Sequence, residues 1–208
     1  MFPRSCVCLT GQARRGSGED ELPAIKRIGL WRGALAAAVA GLAGLPATAA
    51  RADPHALELA IEATYLYRLA HFVTWPAGAF AGPMSPVVIC IQGADPFGPI
   101  LDHLVADKKV DGRPIAGRRL ARLEAGSGCQ IAYLAGGPAQ SAGQALQALD
   151  SAPVVTVTDA ARGPGPRGVF HLAQEGARLR FSIDAAQAED AGVAISSKLL
   201  KLAVEVRR

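Results

Sequence analysis

The stretch VVICIQG, residues 87–93, decides the fold. It is a continuous apolar run with β-branched residues, and this pattern is typical of a strand that is buried on both faces of a parallel sheet. CQIAYLAG (129–136) and PVVTVTDA (153–160) have the same character. Segments with helical patterns precede and separate these three runs, so the sequence predicts an α/β domain that is parallel at least through these strands.

The segment before the first strand is predicted to be a helix. Apolar residues recur there at alternating spacings of four and three, namely Leu59, Ala63, Leu66, Ala70 and Val73. This periodicity places them on one face of a helix, which should end near Trp75 because Pro76 disfavours helical backbone before it. Asp95 and Pro96 are expected to be the N-cap and first residue of a second helix. The Ala-rich stretch 139–150 predicts a third.

The remaining patterns complete the expected fold. A turn at Asp111-Gly112 leads to a predicted edge strand in residues 113–123, and two alternating runs in 169–184 predict an antiparallel hairpin. The tail predicts a short helix, a C-cap at Gly192 and a last helix from Ser197, with a buried stripe of Ile195, Leu199, Leu202 and Val206. We therefore expect a single-domain α/β fold, a three-layer-like sandwich with a mixed, mostly parallel sheet and a terminal β-hairpin.

The N-terminal part has the pattern of an export signal. Residues 33–45, GALAAAVAGLAGL, form an apolar segment that is short for a membrane span, and Lys26, Arg27 and Arg32 precede it. Small residues follow, so residues 1–52 are interpreted as a signal peptide cleaved after Ala52. The acidic residues at 19–21 are unusual in a signal and are consistent with a misassigned start codon. That start would be a non-Met codon, since no further Met precedes Met84.

Export changes the charge balance of the chain. Seven of the 22 basic residues and three of the 18 acidic residues lie in 1–52, so 15 of each remain and the formal net charge becomes zero. A neutral domain gives no support for nucleic-acid binding, which requires a basic face. Cys90 and Cys129 also remain, and two cysteines in an oxidising compartment usually pair; a metal site is the other interpretation. Such a disulfide would contribute roughly 4 kcal/mol in the chain-entropy model.

No local motif for catalysis or for a cofactor is present. The sequence lacks GxGxxG, GxSxG, Walker A and HExxH patterns, and no two of the four histidines lie within four residues. We therefore predict no catalytic residues, no metal and no cofactor. Asp95 and Asp159 follow strands at the edge where parallel sheets bind ligands, so they are candidate ligand-binding residues; helix capping and turn formation are the other interpretation.

Four stretches in order carry a resemblance to a known family. They are TYLYRLAHFVTWP (64–76), VVICIQGADPFG (87–98), GCQIAYL (128–134), and the run from RLRFSID (178–184) through GVAISSKLLKLA (192–203). In this order and spacing they resemble the YfiR family of bacterial periplasmic proteins. The resemblance implies that 53–208 is a YfiR-like periplasmic domain. The sequence lacks the second cysteine pair of the best-known member of the family in 53–208, and it has Arg68 where the common helix pattern has Asn.

The resemblance implies a regulatory function without catalysis. A YfiR-like protein binds the periplasmic domain of an inner-membrane diguanylate cyclase, YfiN, and represses it, which lowers cyclic di-GMP and biofilm formation. An outer-membrane lipoprotein, YfiB, sequesters the repressor. The family also implies that the Cys90–Cys129 disulfide tunes the repressor, and that the protein can form a homodimer.

Partner binding should use exposed apolar side chains with polar surroundings. The candidates are Tyr65, Tyr67, Phe72 and Trp75 near the first helix, and Leu199 and Leu200 near the last; the alternative is that these side chains belong to the core. Two other classes of function stay open. One is a periplasmic small-molecule-binding accessory protein of a membrane sensor or receptor, and the other is a secreted hydrolase with a site assembled from distant residues.

Overall fold

A computed structural model describes residues 54–176 and 178–208. The interpreted signal peptide lies outside these residues. Within the described part, no helix is long and apolar enough to cross a membrane. The helices are α1 (Pro54–Leu69), α2 (Pro99–Val105), α3 (Ala142–Ala148), α4 (Ala185–Asp190) and α5 (Ser197–Leu200). The strands are β1 (Val73–Thr74), β2 (Val87–Gly93), β3 (Lys109–Val110), β4 (Arg113–Leu120), β5 (Ile131–Gly136), β6 (Val155–Asp159), β7 (Phe170–Glu175), β8 (Arg178–Asp184), β9 (Ala194–Ile195) and β10 (Glu205–Arg207).

Eight of these strands form one mixed sheet in the order β10-β8-β7-β6-β5-β2-β4-β3. Five adjacent strands of this sheet run parallel to one another, in the order β4, β2, β5, β6 and β7. β8 is antiparallel to β7, with Phe170 opposite Ile183 and Glu175 opposite Arg178, and this pair is the predicted hairpin. The short strands β1 and β9 pair separately. The predicted α/β class with a mixed, mostly parallel sheet is confirmed.

The sheet is covered on both faces, so it separates two hydrophobic cores. Ile89 and Ile91 of β2 belong to the larger core, together with buried residues of α1 and α2. Cys90, which points the other way because successive strand residues alternate, belongs to the smaller core with Ala145 of α3. The apolar run that predicted a strand buried on both faces therefore contributes side chains to both cores.

The first two helices differ from their predicted bounds. α1 ends at Leu69, and after a 3-10 turn Val73 enters β1 opposite Ile195. Although Val73 has helical spacing from the residues before it, the pairing of β1 with β9 replaces the last turn of the predicted helix. α2 begins at Pro99, because Gly98 has a φ of 49° that interrupts the helix predicted from Asp95. Asp95 forms a turn instead, in which its Oδ1 accepts a hydrogen bond from Phe97 N at 2.8 Å.

The predicted C-terminal helix is also much shorter than expected. α5 has four residues, and the backbone N–H of Val204 donates to Phe181 O at 3.0 Å before β10 runs parallel to β8. The chain after α5 therefore forms a strand that pairs with the otherwise open edge of β8. Of the expected stripe, Leu199 is buried, whereas Leu202 is 65% exposed. β4 likewise is not the outermost strand, because β3 pairs with its outer side.

Two strand ends approach very closely at the carboxyl edge of the sheet. Gly93 at the end of β2 has a φ of 84°, and a Cβ built there would overlap the carbonyl oxygen of Gly136 at the end of β5. Gln92 holds the same region, since Gly136 N donates to its Oε1 at 3.1 Å and its Nε2 donates to Gln140 O at 2.8 Å. Gly93 is therefore required for space as well as for backbone conformation.

Gly93→Ala should destabilise the domain more than Gly192→Ala. Both glycines have positive φ, which costs an alanine about 1 kcal/mol, but nothing lies within 4 Å of a Cβ at Gly192. At Gly93 the overlap with Gly136 adds an overpacking cost of about 3 kcal/mol. Urea unfolding of the two variants measures the difference. Equal losses of unfolding free energy would contradict the close approach.

Candidate functional site

An apolar groove of about 410 Å³ lies between α1, β8 and the segment that follows α5. Its lining is Thr64, Tyr65, Arg68, Leu69, Phe72, Leu179, Arg180, Phe181, Leu199 and Leu202. We call it the α1–β8 groove. Tyr65 and Phe181 meet edge to face with 6.1 Å between ring centroids. Aromatic contacts of this geometry hold rings in place, so the floor of the groove is preformed.

Exposed apolar side chains extend this surface beyond the groove. Leu202 lines it and is 65% exposed. Ile61 and Leu57, also exposed, precede Tyr65 on α1 by four and eight residues and therefore lie on the same side of the helix. The side chain of Val204 is also exposed, and its backbone N–H donates a hydrogen bond to Phe181 O. Several exposed apolar side chains near one groove mark an interaction site more often than an isolated leucine does.

The structure brings together three of the six predicted partner-binding residues. Tyr65, Phe72 and Leu199 line the α1–β8 groove, and Leu199, at 5% exposed, belongs to its buried floor. Tyr67 and Leu200 are half-buried against the larger core and do not line the groove.

Trp75 lies in a different cleft of about 510 Å³. Its Nε1 donates to Gln130 O at 3.2 Å, and its ring meets Phe80 edge to face at 6.2 Å. Arg113 stacks over Phe80 at 4.0 Å and donates to the carbonyls of Gly82 and Ser85, both at 2.9 Å. These contacts brace the loop before β2, so Trp75 has a structural role whatever else it contacts.

The predicted disulfide is present and lies on the opposite face of the sheet from the groove. Cys90 of β2 and Cys129 before β5 are bonded with 5.8 Å between their Cα atoms, and both are buried in the smaller core. The guanidinium of Arg118 covers the bond, with Nη2 at 3.7 Å from Cys90 Sγ and 3.6 Å from Cys129 Sγ. Arg118 also donates to Ser127 O. The bond joins the turn before β5 to the centre of the sheet.

The two predicted ligand-binding aspartates have separate partners. Asp95 Oδ2 accepts from Arg119 Nε at 2.9 Å. Asp159, which is buried at the end of β6, accepts from Tyr133 OH at 3.1 Å and from Ala161 N at 2.9 Å. Asp159 also borders a cleft of about 450 Å³ at the carboxyl ends of β5 and β6, whereas Asp95 does not.

The sequence patterns did not single out Glu62, the acidic residue of α1 that the structure buries. It is 6% exposed, and burial raises its pKa to about 7, with smaller contributions from the nearby carboxylates of Asp159 and Glu58; Arg162 opposes the shift. Burial also raises the pKa of the Tyr133 hydroxyl and lowers the pKa of His171. The available signal was positional, since residue 62 lies three after Leu59 and four before Leu66 on the predicted buried stripe.

The described residues thus form an α/β domain with an apolar groove beside one edge of its sheet. The chain belongs to the YfiR/HmsC-like family, whose model matches residues 59–204. No curated protein matches it. Family membership supports a periplasmic regulator of cyclic di-GMP signalling. The family is regulatory and non-catalytic, and membership suggests an interaction with membrane-associated signalling partners.

Glu62→Gln should remove a pH dependence of stability. The folded-state pKa of Glu62, about 7, lies above its ordinary value of 4.5, so the neutral carboxyl is favoured by folding. The stability that it contributes is complete below about pH 4.5 and is lost as the pH rises through about 7. The variant should therefore match the parent at low pH and melt at a higher temperature above pH 7.

Thermal melts across this pH range test the expectation, with Glu189→Gln on the exposed side of α4 as the matched control. Glu189→Gln should follow the parent at every pH. A gain for Glu62→Gln that is constant with pH would contradict the assigned titration.

Replacing Cys90 and Cys129 together with alanine should lower the free energy of unfolding by about 4 kcal/mol, because the bond closes a loop with a separation of 39 residues. Alanine avoids leaving a buried hydroxyl without a partner. Chemical denaturation measures the loss. The parent treated with a reductant should lose a similar amount, whereas the double variant should not respond to the reductant.

Proposed function

We propose that this protein is a periplasmic repressor that binds a membrane-anchored diguanylate cyclase of the YfiN type and lowers cyclic di-GMP signalling. The observation that carries the proposal is the α1–β8 groove, with Tyr65 and Phe72 in its walls and Leu202 exposed at its rim. Membership of the YfiR/HmsC-like family supports the signalling context.

The physical basis of repression is the burial of this apolar surface by the partner. Apolar anchors in preformed pockets supply most of the binding free energy at protein interfaces, with smaller contributions from the polar rim. Leu202 has most of its surface still to bury, whereas Leu199 has almost none. Leu202 is therefore the C-terminal side chain that would bury the most apolar surface against the partner. Tyr65 would contribute an amphipathic ring from α1.

Repression in this form requires export of the chain. The basic residues before 33–45, the short apolar segment and the small residues up to Ala52 support a cleaved signal, which leaves 53–208 in the periplasm. In that compartment a YfiB-like outer-membrane lipoprotein would compete for the repressor.

The disulfide would couple redox state to the amount of active repressor. A loss of about 4 kcal/mol is a large share of the roughly 5–15 kcal/mol that stabilises a domain of this size. Since the Cys90–Cys129 bond lies on the face away from the groove, reduction would act through the folded population and not by changing the groove's lining.

A second candidate function is small-molecule binding at the cleft beside Asp159. The cleft lies at the carboxyl ends of β5 and β6, the edge where α/β sheets bind ligands, and Arg162 and His171 also line it. A ligand that raises the melting temperature, with the rise abolished by Asp159→Asn, would favour this accessory role. Such a ligand could also gate partner binding.

Deletion of the gene should raise cellular cyclic di-GMP, and the exported protein should reverse the rise. A version without residues 1–52 should not reverse it. Leu202→Glu should also fail, because it places a charge on the apolar rim, whereas Met84→Glu should restore repression. Met84 is the matched control, since it is 71% exposed and lies outside the groove.

Circular dichroism and export levels must first show that both variants fold and reach the periplasm. Unchanged cyclic di-GMP after deletion would overturn the repressor proposal. Full repression by Leu202→Glu would instead overturn the assignment of the α1–β8 groove as the binding surface.

A further inference from the structure

We infer that Arg118 sets the redox equilibrium of the Cys90–Cys129 pair, because its guanidinium stabilises a thiolate in the reduced form and so makes the bond easier to reduce. The inference goes beyond the proposed function and does not depend on it, since this equilibrium is a property of the domain without any partner. It rests on where the guanidinium lies relative to the two sulfurs.

Strand pairing places Arg118 over the bond. β2 and β4 are parallel neighbours, and Arg118 of β4 is in register with Cys90 of β2. Both side chains therefore point to the face of the sheet that carries the smaller core. A single nitrogen, Nη2, lies 3.7 Å from Cys90 Sγ and 3.6 Å from Cys129 Sγ. The same nitrogen thus contacts both sulfurs, so it can donate to whichever of them is ionised after reduction.

The charge of Arg118 is not neutralised by a carboxylate. Within residues 54–176 and 178–208 no ion pair includes it, and its other contact is the carbonyl oxygen of Ser127. Glu124, the acidic residue of the same turn, is exposed and does not pair with it. Arg119, the next residue of β4, is different, because carboxylates on the other face of the sheet bind its guanidinium. The full positive charge of Arg118 therefore acts on the sulfurs.

The sulfurs themselves lie in apolar surroundings. Cys90 is 0% and Cys129 is 4% exposed, and their neighbours in the smaller core include Leu123 and Ala132. Burial alone disfavours a thiolate, whereas a cation in contact with the sulfur favours it. Arg118 is exposed, so its guanidinium keeps contact with water while it covers the bond. It stabilises the reduced form more than the oxidised form, because a disulfide carries no charge.

Reduction of the bond is a two-step exchange with a thiol reductant such as glutathione. A thiolate of the reductant attacks one sulfur, the S–S bond breaks, and the other sulfur leaves as a thiolate beside Arg118. A second reductant thiolate then attacks the mixed disulfide, which releases the first protein sulfur and forms the disulfide of the reductant. The protein gains two electrons and two protons, and two reductant thiols supply them. Stabilisation of the leaving thiolate shifts this equilibrium toward the dithiol.

The test measures the equilibrium of the purified protein with mixtures of reduced and oxidised glutathione. Arg118→Gln removes the charge but keeps a donor for Ser127 O. It should lower the equilibrium constant for reduction about tenfold, the scale of one hydrogen bond to a charged group, which is about 30 mV for a two-electron couple. Arg118→Lys keeps the charge and should stay close to the parent. Arg122→Gln, at an exposed arginine that contacts neither sulfur, should match the parent.

A second readout reports the thiolate directly. In the reduced protein, the ultraviolet absorbance of a thiolate should appear at a lower pH in the parent than in Arg118→Gln. A substitution that destabilised both redox forms alike would change neither readout, because each depends on the difference between forms of the same variant. The rate of reduction is no substitute, since loss of Arg118 uncovers the bond and removes the charge at the same time.

An equilibrium constant for Arg118→Gln equal to that of the parent would overturn the inference. Equal falls for Arg118→Gln and Arg118→Lys would also overturn it, since they would show a role for shape without charge. Circular dichroism must show that both redox forms of each variant fold; if Arg118→Gln does not fold, Arg118→Met, which keeps the apolar stem, takes its place. Because no cyclase enters the measurement, its failure leaves the repressor proposal standing, and unchanged cyclic di-GMP after deletion leaves this inference standing.

Discussion

Burial of β2 on both faces is the constraint on which the rest of the structure depends. The backbone of β2 is hydrogen-bonded to its neighbours β4 and β5, and its side chains pack into both cores. A strand of this kind requires a layer of helices on each side, because apolar side chains that alternate across a sheet must be covered twice. α1 and α2 cover one face and α3 covers the other, so the groove and the disulfide lie on opposite faces of one sheet.

This arrangement separates the proposed binding surface from the disulfide in space. The groove is built on α1 and β8, whereas Cys90 and Cys129 lie in the core beneath α3. Coupling between them must therefore pass through the stability of the shared sheet. Glu62 adds a third influence, since its buried carboxyl lies on the same helix as Tyr65 and titrates near neutral pH. The packing of α1 against the sheet therefore depends on pH, and α1 also carries part of the α1–β8 groove.

Much of the fold could be predicted because its signals are local. β2 has the bounds that its apolar run indicated, the hairpin of β7 and β8 follows its alternation, and Cys90 and Cys129 pair as expected. The site was predicted less well. Tyr65 and Phe72 line the groove, but Trp75 braces a loop, and Leu202 and Glu62 were not singled out for the site. Their importance depends on neighbours that are distant in the sequence, which periodicity cannot identify.

The sequence by itself determined the class of fold and the buried strands, because apolar runs and alternation report local burial. It made a Cys90–Cys129 disulfide the expected outcome while leaving a metal site as the other interpretation. Only the tertiary structure decided that Val73 pairs with Ile195, that the tail leaves α5 to become β10, and that Leu202 remains exposed at the rim of the α1–β8 groove. Each of these outcomes depends on a remote segment that the chain meets only after folding. Long-range pairing outweighed helical spacing there, since an open strand edge leaves hydrogen-bonding groups unsatisfied until another segment meets them.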